Sequence, residues 1–375
     1  MKNIKWIIIA IIIFIIILFA TQNKPADNSA QRTGPIKIGF IGPLTGDAAS
    51  LGENSLIAAT IAIKEINEKG GINGQLFEII AEDGKCAGKD AINAAQKLIN
   101  VDKVVAIVGG LCSGESSSFT GLLSQTGTPA ISTCSSAATL TEEGGDYFFR
   151  SYPSDAYQSV FAAEYIKDNL NINKVAVIYV NNDWGVGLQK SFVDTFKSLG
   201  GEILFQESYE QDERDLRTQL IKAKSAQAEL IYFLSFDQAA IAGIKQYNEL
   251  NLNIPVFGGD AWDDMTIWND VGDISNGFMY PVPKTKNSDA FKQKMSEAGV
   301  DEVTVCAAQG YDNVNIFASV ITEVGVDKEA IKNALYSINY TEGVSANSVS
   351  FDENGDLVGA EYIVKQNNNG EIVEL

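Results

Sequence analysis

The feature that most constrains this chain is that it repeats one structural plan twice. Lys37-Ile-Gly-Phe-Ile-Gly42 is a short apolar run that opens into the glycine-rich loop Pro43 to Gly52, after which Leu56, Ala59, Ile63 and Ile66 fall at helical spacing. Lys174-Val-Ala-Val-Ile-Tyr179 does the same: it leads into Asn181 to Gly187 and then a helical pattern through Leu188, Phe192, Val193, Phe196 and Leu199. The correspondence continues. Leu76 to Ala81 parallels Glu202 to Phe205, and Ala91 to Ile99 parallels Leu216 to Ala223. Val104 to Val108 parallels Leu230 to Leu234, and Thr128 to Ile131 parallels Ile254 to Phe257. Each half therefore reads βαβαβαβ. Continuous apolar strands alternating with amphipathic helices are the pattern of a parallel sheet covered on both faces. Right-handed crossovers then make each half a doubly wound, Rossmann-like α/β lobe. Two such lobes in tandem leave a cleft between them.

A third part begins after Pro281, with helical patterns over Ser288 to Glu297, Thr304 to Val324 and Lys328 to Ile338. It ends in short strands around the turn Phe351-Asp-Glu-Asn-Gly355. A tail that follows two complete lobes must pack back on them. Chain crossings are expected near Ser154, Pro281 and Asn339, together forming a hinge. The predicted division is 36–154 with 282–339 as the first lobe and 155–281 with 340–375 as the second.

Composition narrows the function. Histidine is absent, which removes Ser-His-Asp and Cys-His catalysis, the usual general base and histidine-containing zinc sites. The net charge of −20 would repel a phosphate backbone and argues against nucleic acid as a partner. Gly39-Phe-Ile-Gly42 lacks G-x-G-x-x-G spacing, and Gly185-Val-Gly187 has Lys190 where the third glycine belongs, so a dinucleotide is opposed. No cofactor or metal is expected, and an enzyme is disfavoured.

The N-terminus points to export. Lys2 and Lys5 precede an apolar run from Trp6 to Ala20, the pattern of a signal peptide or signal anchor over 1–21. As a helix the run reaches about 22 Å, against a hydrocarbon core of about 30 Å. Leu18-Phe-Ala-Thr21 is a poor cleavage site, which favours retention as a membrane anchor. Residues 22–35 read as a polar linker, and everything after Thr21 is expected outside the cytoplasm. Cys86, Cys112, Cys134 and Cys306 would then meet an oxidising compartment. Four cysteines allow three pairings, and free buried thiols are the alternative.

In open α/β sheets ligands lie beyond the carboxyl ends of the strands, and four such ends are chemically loaded. Gly109-Gly-Leu-Cys-Ser-Gly-Glu-Ser116 precedes a helix, where hydroxyls and free N–H groups suit an anion. Plain capping of the helix by a serine is the alternative. Ser132-Thr-Cys-Ser-Ser136 repeats that chemistry at the neighbouring strand. In the second half, Asn181-Asn-Asp-Trp184 offers an aromatic, and Gly258-Gly-Asp260-Ala-Trp262 offers a carboxylate for an ammonium. Anion donors in one lobe and an acid with aromatics in the other describe a receptor for a zwitterion. Ligand contact with both lobes would favour the closed form.

At these residues the sequence resembles the branched-chain amino acid (Leu/Ile/Val-type) substrate-binding proteins of ABC transporters, in the type I periplasmic-binding-protein superfamily. The resemblance runs from about Ile36 to Leu375. It rests on Ile38-Gly-Phe-Ile-Gly-Pro-Leu-Thr-Gly46, Gly70-Gly-Ile-Asn-Gly74, Gly110-Leu-Cys-Ser113, Gly310-Tyr-Asp312 and Phe351-Asp-Glu-Asn-Gly355. It implies that the Ser113 and Ser136 hydroxyls hold a ligand carboxylate, that the backbone of Cys134 contacts the ligand, and that Asp260 receives the ammonium. Leu51, Trp184, Phe236 and Cys306 match wall positions, and Leu111 and Cys112 belong to the loop that presents Ser113. Cys86 and Cys112 match a disulfide of the family. The departures are Asp260 where the Leu/Ile/Val binders carry a glutamate, Trp184 and Phe236 in place of tyrosines, and Cys306 in place of an aromatic. Cys134 and Cys306 fall on opposite walls of the expected site, which favours free thiols over a bond that would limit opening.

The resemblance thus implies an extracytoplasmic protein that captures an L-amino acid, aliphatic or branched, and passes it to an ABC permease. The alternatives are a ligand-sensing receptor module and a binder of a small amide or urea-type solute.

Overall fold

The computed structural model describes residues 34–286 and 288–375. The expected signal or anchor at 1–21 and nearly all of the linker at 22–35 lie outside the described residues. Among the described residues no helix is long and apolar enough to cross a membrane.

The first sheet holds β1 (Ile36–Gly42), β2 (Phe77–Asp83), β3 (Ala106–Gly109), β4 (Ala130–Ser132) and β5 (Phe148–Arg150) in the order β2-β1-β3-β4-β5, all parallel. The second holds β6 (Lys174–Val180), β7 (Glu202–Tyr209), β8 (Leu230–Leu234), β9 (Val256–Gly258), β10 (Met279–Pro283), β11 (Tyr362–Asn368) and β12 (Glu371–Glu374). Its order is β7-β6-β8-β9-β10-β11-β12, parallel as far as β10 and antiparallel beyond. The repeated plan is therefore real, and each half gains a strand that the apolar pattern did not reveal. β5 is only three residues long, and β10 carries two prolines, so neither gives a clear periodic signal.

The central strands are buried along nearly their whole length, as a sheet covered on both faces demands. In the first lobe the helices Ala49–Glu68 and Ala307–Val324 pack against each other over one face. Their approach is close at Gly310, where a Cβ would stand 2.4 Å from the carbonyl oxygen of Ser55. The opposite face is covered by the helices Gly88–Lys97 and Ser113–Thr126.

The structure shifts two predicted boundaries. Residues 340–357 stay with the first lobe. Buried Arg150, at the end of β5, makes a bidentate ion pair with Asp356, Nε to Oδ1 at 2.6 Å and Nη2 to Oδ2 at 2.7 Å. Asp312, on the helix Ala307–Val324, accepts the N–H groups of Val344 and Ser345. Two buried charges anchored this way hold the segment where apolar content alone did not place it. The chain finally crosses to the second lobe just before β11, not near Asn339. The middle crossing follows β10, so it lies beyond Pro281. The Lys284 N–H donates to the Glu361 carbonyl at 2.8 Å and ties these two crossings together.

Candidate functional site

Between the lobes lies a cleft lined by Leu51, Leu111, Cys112, Ser113, Cys134, Ser136 and Val305 from the first lobe. Trp184, Phe236, Asp260 and Ala261 line it from the second. All but Leu51 and Val305 follow the carboxyl ends of β3, β4, β6, β8 and β9, as doubly wound sheets require. The lobes are drawn together. Asp47 of the first lobe pairs with Arg214 of the second, the Ser117 hydroxyl donates to Asp183 at 2.8 Å, and the Val305 N–H donates to the Asp263 carbonyl at 3.3 Å. The free space left in the cleft is about 30 Å³.

The hydroxyl-bearing wall of the first lobe is built around Glu115. Its Oε2 accepts the N–H groups of Leu111 (2.9 Å) and Cys112 (3.1 Å), and its Oε1 accepts that of Cys86 (2.9 Å). This fixes the loop that leads into Ser113, the first residue of its helix. Burial pushes the Glu115 carboxyl up to about 7, against the pull of those three N–H groups. The disulfide Cys86–Cys112, with Cα atoms 5.2 Å apart, closes the same loop. The Ser113 Oγ accepts the Ala137 N–H at 3.1 Å, which leaves its hydroxyl hydrogen for a ligand. Ser132 and Ser135 serve the scaffold instead: the Ser132 hydroxyl donates to the Gly110 carbonyl at 2.7 Å, and Ser135 bonds Ser116 at 2.7 Å. Of the hydroxyl-rich run after β4, Ser136 is the member that lines the cleft.

Opposite stand Asp260 and the aromatics. Asp260 opens a short 3-10 turn after β9 and is only 5% exposed. Its Oδ2 accepts the Tyr152 hydroxyl at 2.6 Å. Burial raises its pKa, while the hydrogen bond from Tyr152 opposes the rise. Trp184 and Phe236 stack on each other with centroids 5.0 Å apart and form a flat apolar wall.

Every residue that the sequence placed in the cleft lines it except Cys306, where the reading needs correction. Cys134 and Cys306 are not free thiols on opposite walls. They form a disulfide with Cα atoms 5.4 Å apart. Cys306 immediately precedes the helix Ala307–Val324, which packs on the first lobe and brings it beside the loop after β4. Both partners thus belong to one lobe, and the bond does not tether the two. Val305 takes the lining position. Sequence reasoning also missed Ala261, the role of Glu115 as an anchor and the Tyr152 hydroxyl, each set by tertiary contact.

Among the described residues no group of three or more acids or cysteines is placed to hold a metal ion. The cleft offers hydroxyl donors on one side, a carboxylate on the other and apolar walls between, which suits binding without covalent chemistry.

Comparison with known proteins agrees with this fold. The family profile described as periplasmic binding protein matches residues 35–371. The chain is 27% identical to the leucine-, isoleucine-, valine-, threonine- and alanine-binding protein of Pseudomonas aeruginosa, over 92% of this chain and 91% of that one. A solved structure of the branched-chain amino acid transporter substrate-binding protein LivJ of Streptococcus pneumoniae, in complex with isoleucine, is 26% identical. Its TM-score is 0.82, covering 91% of this chain and 100% of that one. A solute-binding protein of an ABC transporter from R. palustris, in complex with benzoate, is 19% identical with a TM-score of 0.83. It covers 91% of this chain and 96% of that one and shares the fold.

Proposed function

The chain belongs to the periplasmic binding protein family, whose members bind solutes and are not enzymes, and from that premise we propose that it captures a small aliphatic L-amino acid outside the cytoplasm and delivers it to an ABC permease. One observation carries the reading: Ser113 and Ser136 of one lobe and Asp260 of the other line a single cleft. A zwitterion places its carboxylate on the hydroxyls and helix N-terminus and its ammonium on Asp260. Because the two charges of one ligand engage different lobes, occupancy favours closure.

The side-chain preference follows from the walls. Leu51, Leu111, Val305, Ala261, Trp184 and Phe236 are apolar, so a charged side chain would go unpaired there. A water needs about 10–15 Å³ on this measure of volume. The space of about 30 Å³ is therefore room for two or three waters, and the lobes must part slightly for any amino acid. The apolar walls therefore favour an uncharged, aliphatic side chain.

Titration calorimetry against the standard L-amino acids tests this, with benzoate and urea as ligands that lack the ammonium or both charges. Heat with alanine or valine and none with the two controls supports the reading. Binding of urea or benzoate with no amino acid overturns it.

A further inference from the structure

Beside Asp260 lies a cluster of buried polar side chains that the recognition described so far does not use. Asp155 is the first residue of the helix Asp155–Glu164 and is 0% exposed, and neither of its carboxylate oxygens completes a hydrogen bond. One turn along the same helix, both amide atoms of Gln158 are likewise buried without a partner. So are the hydroxyls of Tyr232 on β8 and Tyr362 on β11. Buried polar groups in folded proteins are satisfied with few exceptions, so this many in one place calls for an explanation.

The charges that face Asp155 deepen the question. Burial raises its pKa well above the ordinary carboxylate value and the charge of Asp260 adds to that, while Ser136 and the distant pull of Arg150 oppose it. Arg150 is already committed to Asp356 and to the Ala137 carbonyl. The remaining ionisable neighbours are Tyr152, Tyr232 and Tyr362, all kept neutral by burial. Two acids therefore share a buried space with no cation of the protein's own to balance them. Asp155 is also fastened to the cleft: its N–H donates to the Ser136 carbonyl at 2.7 Å. It lies behind Ser136, one layer beneath the lining of the cleft.

We propose that Asp155 is a second carboxylate for the ligand's amine, taking one N–H of an α-ammonium that enters between Ser136 and Asp260. This rests on the amino-acid reading above and sharpens it to ligands with a primary amine. An ammonium has three donors. Asp260, whose Oδ2 already accepts from Tyr152, takes one, the Ser136 Oγ takes another and Asp155 takes the third. Without ligand, burial and the mutual repulsion of the two acids favour a proton retained between them. The arriving ammonium supplies the positive charge, and that proton leaves to solvent, so up to one proton is released for each amino acid bound. Secondary amines, with two donors, leave one acceptor unfilled.

The test is calorimetry of the wild-type chain with L-alanine, L-valine and N-methyl-L-alanine at pH 7, in buffers of different ionisation enthalpy. The expected result is a binding enthalpy that varies with the buffer in the sense of proton release, with N-methyl-L-alanine bound about 10-fold or more weakly than L-alanine. In Asp155→Asn the buffer dependence disappears and L-alanine binds about 10–100-fold more weakly. L-alanine or L-valine bound with no buffer dependence and no penalty for N-methylation overturns the proposal while leaving the amino-acid reading intact. Failure of the wild type to bind either amino acid overturns both. A merely structural Asp155 would lower the stability of Asp155→Asn yet keep proton release, which also overturns it. The wild-type measurement decides the matter even if the variant does not fold.

Discussion

In the proposed reading recognition turns on Asp260, the buried carboxylate on the second lobe's wall of the cleft, which is placed to meet a ligand ammonium. Truncating one partner of a buried charged pair costs about 2–5 kcal/mol. Asp260→Ala should accordingly weaken amino-acid binding by roughly 30-fold or more, measured by calorimetry. Unchanged affinity would contradict the assignment. Glu115 makes a different prediction, about pH. Its folded pKa of about 7 lies above the reference value of 4.5, so the folded state holds the proton more tightly. Below about pH 4.5 the group contributes no difference. Between there and about pH 7 it lowers stability progressively, to a limit of about 3 kcal/mol. Denaturant unfolding of Glu115→Gln should show a flatter decline over that window than the wild type. Equal slopes would contradict the assignment. Both carboxylates stood in segments that the sequence marked, yet only Asp260 carried a legible role. Glu115 read as one more residue at the start of a helix, since nothing in its neighbours announces three backbone N–H groups converging from two separate loops.

At the scale of elements, strands and helices with a continuous apolar run or a helical period were legible, and those that depend on partners were not. β1, β3, β6 and β8 announce themselves because both faces are buried. β5 and β10 do not, being respectively three residues long and interrupted by proline. The polar segment 340–357 is positioned by Asp312 and Arg150, contacts between residues far apart in the chain that no local pattern encodes. The pairing of Cys134 with Cys306 was hidden for the same reason, since it depends on how the helix Ala307–Val324 folds back. That helix makes its own prediction at Gly310. Gly310→Ala forces a methyl against the Ser55 carbonyl, and overpacking of this kind costs about 1–3 kcal/mol. A lower melting temperature with retained specificity is expected. An unchanged melting temperature would mean that the two helices are free to separate.

For the whole molecule, the tandem repeat made two lobes and a cleft legible before any coordinates, while the closed arrangement was not. Closure is held by contacts between lobes, among them the ion pair of Arg214 with Asp47. The pair is partly exposed, so its contribution is modest, about 0–1 kcal/mol. Arg214→Ala should raise the dissociation rate of the bound amino acid by up to about fivefold, with the order of preference among amino acids unchanged. A change in that order would place Arg214 in recognition instead of closure. The central claim, that the cleft between Ser113, Ser136 and Asp260 holds an amino acid, is most directly tested by native mass spectrometry of the folded chain mixed with the standard L-amino acids in equal amounts. The account predicts a one-to-one complex whose added mass is that of a small aliphatic amino acid, and its loss in Asp260→Ala. A chain that carries no amino acid, or carries one equally well in Asp260→Ala, would contradict it.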